Sequence, residues 1–208
     1  MSNPKNTDLF SGLRKDILQG KYQKGYKLTE HAVCFEYEVS RTPVREAFHR
    51  LEAEGLIETV KNRGAFVLGL SKQDMEDIFA LRKPCEIQAV IWAIERVTDE
   101  ELDALEEAIG FMELYTGNDD AEKVLNLNSN FHQLIYKSSH SRMLQSILSS
   151  FQLYAAHERK SAVANPSILP ELLAEHKGIF NAIKIKDVAL GINAMENHMD
   201  NAAKRRNL

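Results

Sequence analysis

Two sets of side chains in this sequence have the types and spacing to do chemistry. The first lies at Ser40-Arg41-Thr42-Pro43-Val44-Arg45. Arginine carries a planar fork that pairs bidentately with guanine or clamps a phosphate. Arg41 and Arg45 stand i and i+4, so a helix starting at Ser40 puts both on one face, with His49 a turn further on. Val44, Ala47, Phe48 and Leu51 repeat on the other side and face a core. The Ser40 hydroxyl is placed to cap this helix, and Pro43 falls in its first turn, where a missing N–H costs nothing. Thr42 offers a hydroxyl to phosphate or a methyl to thymine, and the helix N-terminus itself favours a nearby phosphate. Basic residues projecting from the start of a short helix have the geometry of a recognition helix in the major groove. An ordinary solvated face also carries arginines. The DNA reading rests on the conjunction of cap, proline and basic face with a following hairpin tipped by Arg63 and Gly64, where glycine permits close approach to a minor groove.

The second set is three histidines, His132, His176 and His198, each in the middle of a separate predicted helix. Each lies within or beside an apolar stripe: Phe131 and Ile135, Ile179 and Ile183, Met195 and Ala202. Asn128 precedes His132 by one turn on the same face. Helices of a bundle can converge such residues on one internal point, where imidazole suits zinc, nickel, copper or iron. The alternative for each is a hydrogen-bonded core histidine. Polar helix faces account for His140, His157 and Arg159.

The elements that must position these residues follow from periodicity. Helices are predicted from Thr7 to Gln19, from near Thr29, and from Ser40 to Gly55. Two β-prone runs, Leu56–Val60 and Ala65–Leu68, flank Lys61-Asn62-Arg63-Gly64 as a hairpin. Beyond Ser71 everything reads as helix: Ser71 to Val97 with a kink or restart at Pro84, then Thr98 to Gly117, Asp119–Lys137, Ser141–Ala164, Leu169–Ile185 and Asp187–Arg206. Thr98 and Glu101 have capping-box spacing. The fold class is thus mainly α. A winged helix-turn-helix (three helices plus a β-hairpin) is expected at 1–70, and an all-α helical bundle at 71–208.

Composition agrees. The 208 residues are 44% hydrophobic and 27% charged, which excludes a disordered, collagen-like or disulfide-dense chain. Net charge is -4, but residues 1–70 hold 11 Lys and Arg against 9 acids, while residues 71–208 hold 15 against 21. The sign changes where the pattern changes. Cys34 and Cys85 form no metal or redox motif and read as reduced thiols. No membrane span or signal peptide is evident, so a cytoplasmic location is expected.

The segment VSRTPVREAFHRLEAEGLIETVKNRGAFV resembles the winged helix-turn-helix of GntR-family bacterial transcription regulators, over about residues 9–70. The resemblance implies DNA contacts from Ser40, Arg41, Thr42 and Arg45, with Gly64 at the wing tip; His31 stands where the family often has arginine, and Glu38 replaces the usual turn glycine. From Ser71 onward the pieces IFALRKPCEIQAV, LNSNFHQLIYKSS, EHKGIFNAI and MENHM are similar to the FCD effector-binding domain of the FadR subfamily, in a VanR-like branch. Many FCD domains bind a divalent metal through one Asp and three His. The resemblance assigns Asn128, His132, His176 and His198 to that site, for zinc or nickel, with Asn128 weakening it in place of Asp. It also places Arg82 at a pocket that meets an effector carboxylate, with Tyr136 lining the same cavity. A helix-bracing ion pair with Glu86 is the other reading of Arg82.

The implied function is a regulator, a repressor, not an enzyme. It would bind a palindromic operator in double-stranded DNA as a homodimer and respond to a small organic acid in the helical domain. A helical domain that only dimerises is the alternative. A three-histidine metallohydrolase is disfavoured because no general base is evident: Glu175, next to His176, points about 100° away around the helix.

Overall fold

The computed structural model of the chain describes residues 4–61, 63–155 and 166–206. The predicted helix extension to Ala164, with His157 and Arg159, lies outside them. Two compact units divide at Met75/Glu76.

The first unit contains α1 (Pro4–Leu18), β1 (Lys27–Leu28), α2 (Glu30–Glu36), α3 (Arg41–Ala53), β2 (Ile57–Val60) and β3 (Gly64–Val67). α1 buries Leu9, Phe10, Leu13, Ile17 and Leu18, and α3 buries the predicted stripe Val44, Ala47, Phe48 and Leu51. Ile57, Ala65 and Val67 add the inner face of the sheet. The strands are antiparallel in the order β1-β3-β2, with Val60 opposite Gly64 and Leu28 opposite Ala65. β1 was not expected; two residues carry no periodicity, and only pairing with β3 makes them a strand. Gly64 has φ +98°, and a Cβ there would stand 3.2 Å from the Leu28 carbonyl oxygen. Glycine therefore both turns the hairpin and admits the third strand. Glu38, between α2 and α3, has φ +53°, the left-handed turn position at which a non-glycine residue is strained.

One local expectation fails. Ser40 stands at the N-cap of α3 in extended conformation, yet its hydroxyl makes no capping bond. The third helical residue is Pro43, which has no N–H to give. Thr29, at the N-cap of α2, finds Ala32 N–H at 3.2 Å in the equivalent place.

α4 (Lys72–Arg96) begins in the first unit and continues into the second. There α5 (Asp99–Gly117), α6 (Ala121–Ser138), α7 (Arg142–Ala155), α8 (Leu169–Lys184) and α9 (Val188–Arg206) follow. α5 packs on α6 and α8, and α8 on α9. The Thr98–Glu101 capping box forms as expected. Pro84 does not interrupt α4. It is exposed, as is Ala80 four residues earlier, so the carbonyl left without a partner faces water, while Ala89, Val90, Ala93 and Ile94 anchor the other side in the core. Gly191 sets the approach of α9 to α4: a Cβ would lie 2.6 Å from Ile94 Cδ1 and 2.9 Å from Val90 Cγ1. Among the described residues no helix is long and apolar enough to cross a membrane.

Candidate nucleic-acid interface and buried histidine centre

Ser40, Arg41, Thr42, Arg45 and Arg63 are all exposed, and His31 and His49 with them. The first four stand at the start of α3. Arg63 and Gly64 stand at the β2–β3 turn of the same unit, with Arg63 over the Phe66 ring at 5.8 Å. Arg45 Nε donates to Glu30 Oε1 at 2.7 Å, with side-chain exposures of 62% and 34%. Arg45, with Arg41 adding its charge, holds the Glu30 carboxyl below its ordinary range. Sequence reasoning missed Glu30, because the pair spans 15 residues and two helices and has no periodic signature. An ion pair this open to water is weak and exchanges partners readily.

The second unit uses its charges in the opposite way. His132, His176 and His198, from α6, α8 and α9, are buried, and one ligand nitrogen of each lies within 4.8 Å of the others. The apolar stripes that placed them are the reason: burying Phe131, Ile179 and Met195 carries the neighbouring imidazoles inward. His132 Nδ1 meets Glu86 Oε2 at 3.2 Å, His198 Nδ1 meets Glu175 Oε2 at 2.8 Å, and His176 Nδ1 meets the Leu172 carbonyl at 2.7 Å. Carboxylates and carbonyls only accept, so each Nδ1 donates. In a neutral imidazole that leaves Nε2 as a bare lone pair. His132 Nε2 and His198 Nε2 face each other at 3.1 Å, and His176 Nε2 is buried without a partner. Burial, with the charges of neighbouring His198 and His132, holds His176 well below its ordinary value; burial likewise takes His198 down to about 4.

Asn128 Oδ1 is also buried without a partner. The three imidazole lone pairs form an electron-rich donor set that fits a divalent cation of the zinc or nickel type. Asn128 stands one turn before His132 on α6, on the same face.

Glu86 joins this centre to the other predicted cluster. It is fully buried; its Oε1 accepts from Arg82 Nε at 2.8 Å, Arg82 Nη2 at 2.7 Å and Tyr136 Oη at 2.5 Å, while Oε2 holds His132. Burial alone would raise its carboxyl, but His132 and Arg82 hold it far below the usual range. Thus Arg82 and Tyr136, which the resemblance assigns to one effector cavity, both bond Glu86. Sequence reasoning saw only the brace Arg82–Glu86 and missed the link to His132, 46 residues away. Glu175 was missed more completely. Judged against His176 on its own helix it points elsewhere; it reaches α9, taking His198, Asn201 Nδ2 at 2.8 Å and a two-pronged Arg205 at 2.8 and 2.7 Å. Burial opposes ionisation there, yet Arg205 and His198 hold its carboxyl at about 2. Each carboxylate fixes the orientation and tautomer of one inward histidine.

A wing-bearing helix-turn-helix unit with an exposed basic helix start, followed by a helical unit with three buried, clustered histidines, has the organisation of a DNA-binding transcription regulator. Comparison with known proteins agrees. Residues 6–67 match the bacterial regulatory proteins of the gntR family, and residues 77–201 match the FCD domain, a domain that often binds metal. The chain is 30% identical over 186 residues to YdhC, an HTH-type transcriptional regulator of Bacillus subtilis (strain 168), covering 88% of this chain and 83% of that one. It is 30% identical over 196 residues to the galactonate operon transcriptional repressor of Escherichia coli (strain K12), covering 84% and 85%. The solved structure of E. coli McbR/YncC shares the fold, with a TM-score of 0.80 at 21% identity over 99% of this chain and 98% of that one. The chain belongs to the GntR family of transcription regulators, with an FCD domain after its winged helix-turn-helix; it is not an enzyme.

Proposed function

We propose that this regulator is a cytoplasmic, dimeric repressor released from its operator by a small carboxylic acid bound in the helical unit together with a divalent metal. Ser40, Arg41, Thr42 and Arg45 enter the major groove or grip its phosphates, and Arg63 and Gly64 reach the adjacent minor groove. Two such units on a palindrome read half-sites about 34 Å apart. Asn128, His132, His176 and His198 hold the metal, which when bound supplies a positive pole for the acid's carboxylate. Arg82 and Tyr136 face the same acid, which competes with Glu86 for them. Because the other Glu86 oxygen holds His132, a change at Arg82 passes to α6. The acid then favours a placement of the recognition helices that no longer fits the operator.

The observation that carries this reading is that two buried acceptors lack protein partners: His176 Nε2, in the cluster of inward imidazoles, and Asn128 Oδ1, one turn before His132 on α6. The relative named for the galactonate operon supports a polyhydroxy carboxylate as the effector class. The test is a gel-shift titration on promoter DNA upstream of the protein's own gene. A specific, salt-sensitive complex that dissociates with a sugar acid is expected; a complex no stronger than on random DNA would sink the operator assignment.

One observation favours a simpler reading, in which the helical unit only dimerises: Glu86 already neutralises Arg82. That reading requires that no metal or acid raise the melting temperature, whereas a ligand at 100 times its Kd adds about 2.7 kcal/mol.

A further inference from the structure

The charges around the histidine centre cancel without leaving any for a cation. The four candidate donors are three imidazoles, which must be neutral to ligate a metal, and an uncharged carboxamide. The carboxylates touching them are each matched by a guanidinium, Glu86 by Arg82 and Glu175 by Arg205. Among the described residues no carboxylate or thiol joins the group of three histidines. A divalent cation held by these donors keeps both its charges inside a buried site, a state that is strongly disfavoured unless a negative group comes with it.

Resting on the metal-and-acid reading above, we propose that metal and acid enter this centre only as a pair. The acid's carboxylate supplies the negative charge that Asn128 withholds. Two consequences follow from linkage. Each partner tightens the other by the same factor, and the regulator responds to an acid only where metal is available. A carboxylate at position 128 would remove the dependence, because the protein would then bring its own anion. The amide therefore makes this a coincidence sensor.

Cobalt(II) is the probe metal and acetate the probe acid, since acetate has the shared carboxylate and chelates cobalt weakly. The full-length protein is titrated with cobalt in about 100 mM sodium acetate and again in sodium perchlorate at equal ionic strength, each referred to free cobalt. Cobalt affinity is expected to rise about tenfold or more in acetate, within the usual range of coupling between sites. Melting shifts from cobalt and acetate together should exceed the sum of the separate shifts. Asn128→Asp is expected to bind cobalt about tenfold more tightly in perchlorate, and to lose most of the acetate effect. Equal cobalt affinity of the unaltered protein in the two salts overturns the pairing and leaves the metal site standing. Failure of both folded proteins to bind cobalt in either salt overturns the metal reading itself, and the pairing with it. If Asn128→Asp does not fold, the acetate comparison on the unaltered protein decides alone.

Discussion

Both units of this regulator rest on arginine–glutamate contacts, but they place them in opposite surroundings. Arg45–Glu30 is bathed in solvent at the start of α3, whereas Arg82–Glu86 is sealed in the helical core with His132 and Tyr136 around it. An exposed pair contributes about 0–1 kcal/mol and lets its arginine leave for a phosphate or a base. A buried pair contributes little net stability yet is costly to break, because the surviving charge has nowhere to go. The same two residue types therefore make a replaceable contact in one unit and a fixed framework in the other.

The sharpest way to break the contrast is Glu86→Ala. It strands the buried Arg82 and frees His132 and Tyr136, so a loss of about 3–5 kcal/mol in urea unfolding is expected. A loss below about 1 kcal/mol would mean that water reaches the centre.

Acid is the next probe. With a chelator present, the folded protein holds His198 down to about 4 against an ordinary value of 6.5. Between those values the unfolded chain takes up a proton that the fold refuses, so stability falls as pH drops from about 6.5 to 4. The His198 contribution is about 3 kcal/mol, and His176 acts in the same direction. Glu175, held at about 2 from 4.5, extends the loss below pH 4.5. His198→Ala should flatten the upper part of the curve in equilibrium unfolding across pH.

Arg45→Ala tests the exposed side. Operator affinity should fall by about 1–3 kcal/mol in fluorescence anisotropy, while unfolding stability stays within about 0.5 kcal/mol of the original. A matching loss of stability would show that the arginine braces the fold. The smallest expected effect is that of Glu30→Gln. Removing the carboxylate that competes for Arg45 and Arg41 should strengthen binding to random duplex by about 0.3–1 kcal/mol, with the gain fading at high salt.

Local signals were legible where their physics is local. The capping box Thr98–Glu101 involves atoms three residues apart and forms as read, and the stripe of α3 follows from helical geometry alone. Local signals also failed for local reasons that a stricter reading would catch: Pro43 removes the very N–H that Ser40 would cap. Pro84 is a different case. Whether a proline breaks a helix depends on which side its missing bond faces, and only the packed molecule shows that Pro84 and Ala80 face water.

The sequence by itself determined the class of every helix and of the hairpin strands, the basic start of α3, and the three inward histidines, because apolar periodicity dictates which side of a helix is buried. It also determined the neutral character of position 128, a matter of composition. Only the tertiary structure decided what those residues meet. Glu30 finds Arg45, Glu86 links Arg82 and Tyr136 to His132, and Glu175 serves His198 on another helix rather than its neighbour His176. Such contacts depend on the relative rotation and offset of whole helices, which interdigitating cores such as Gly191 against Val90 and Ile94 set. No periodicity along one chain encodes that offset, so partners across helices remain invisible until the helices are packed.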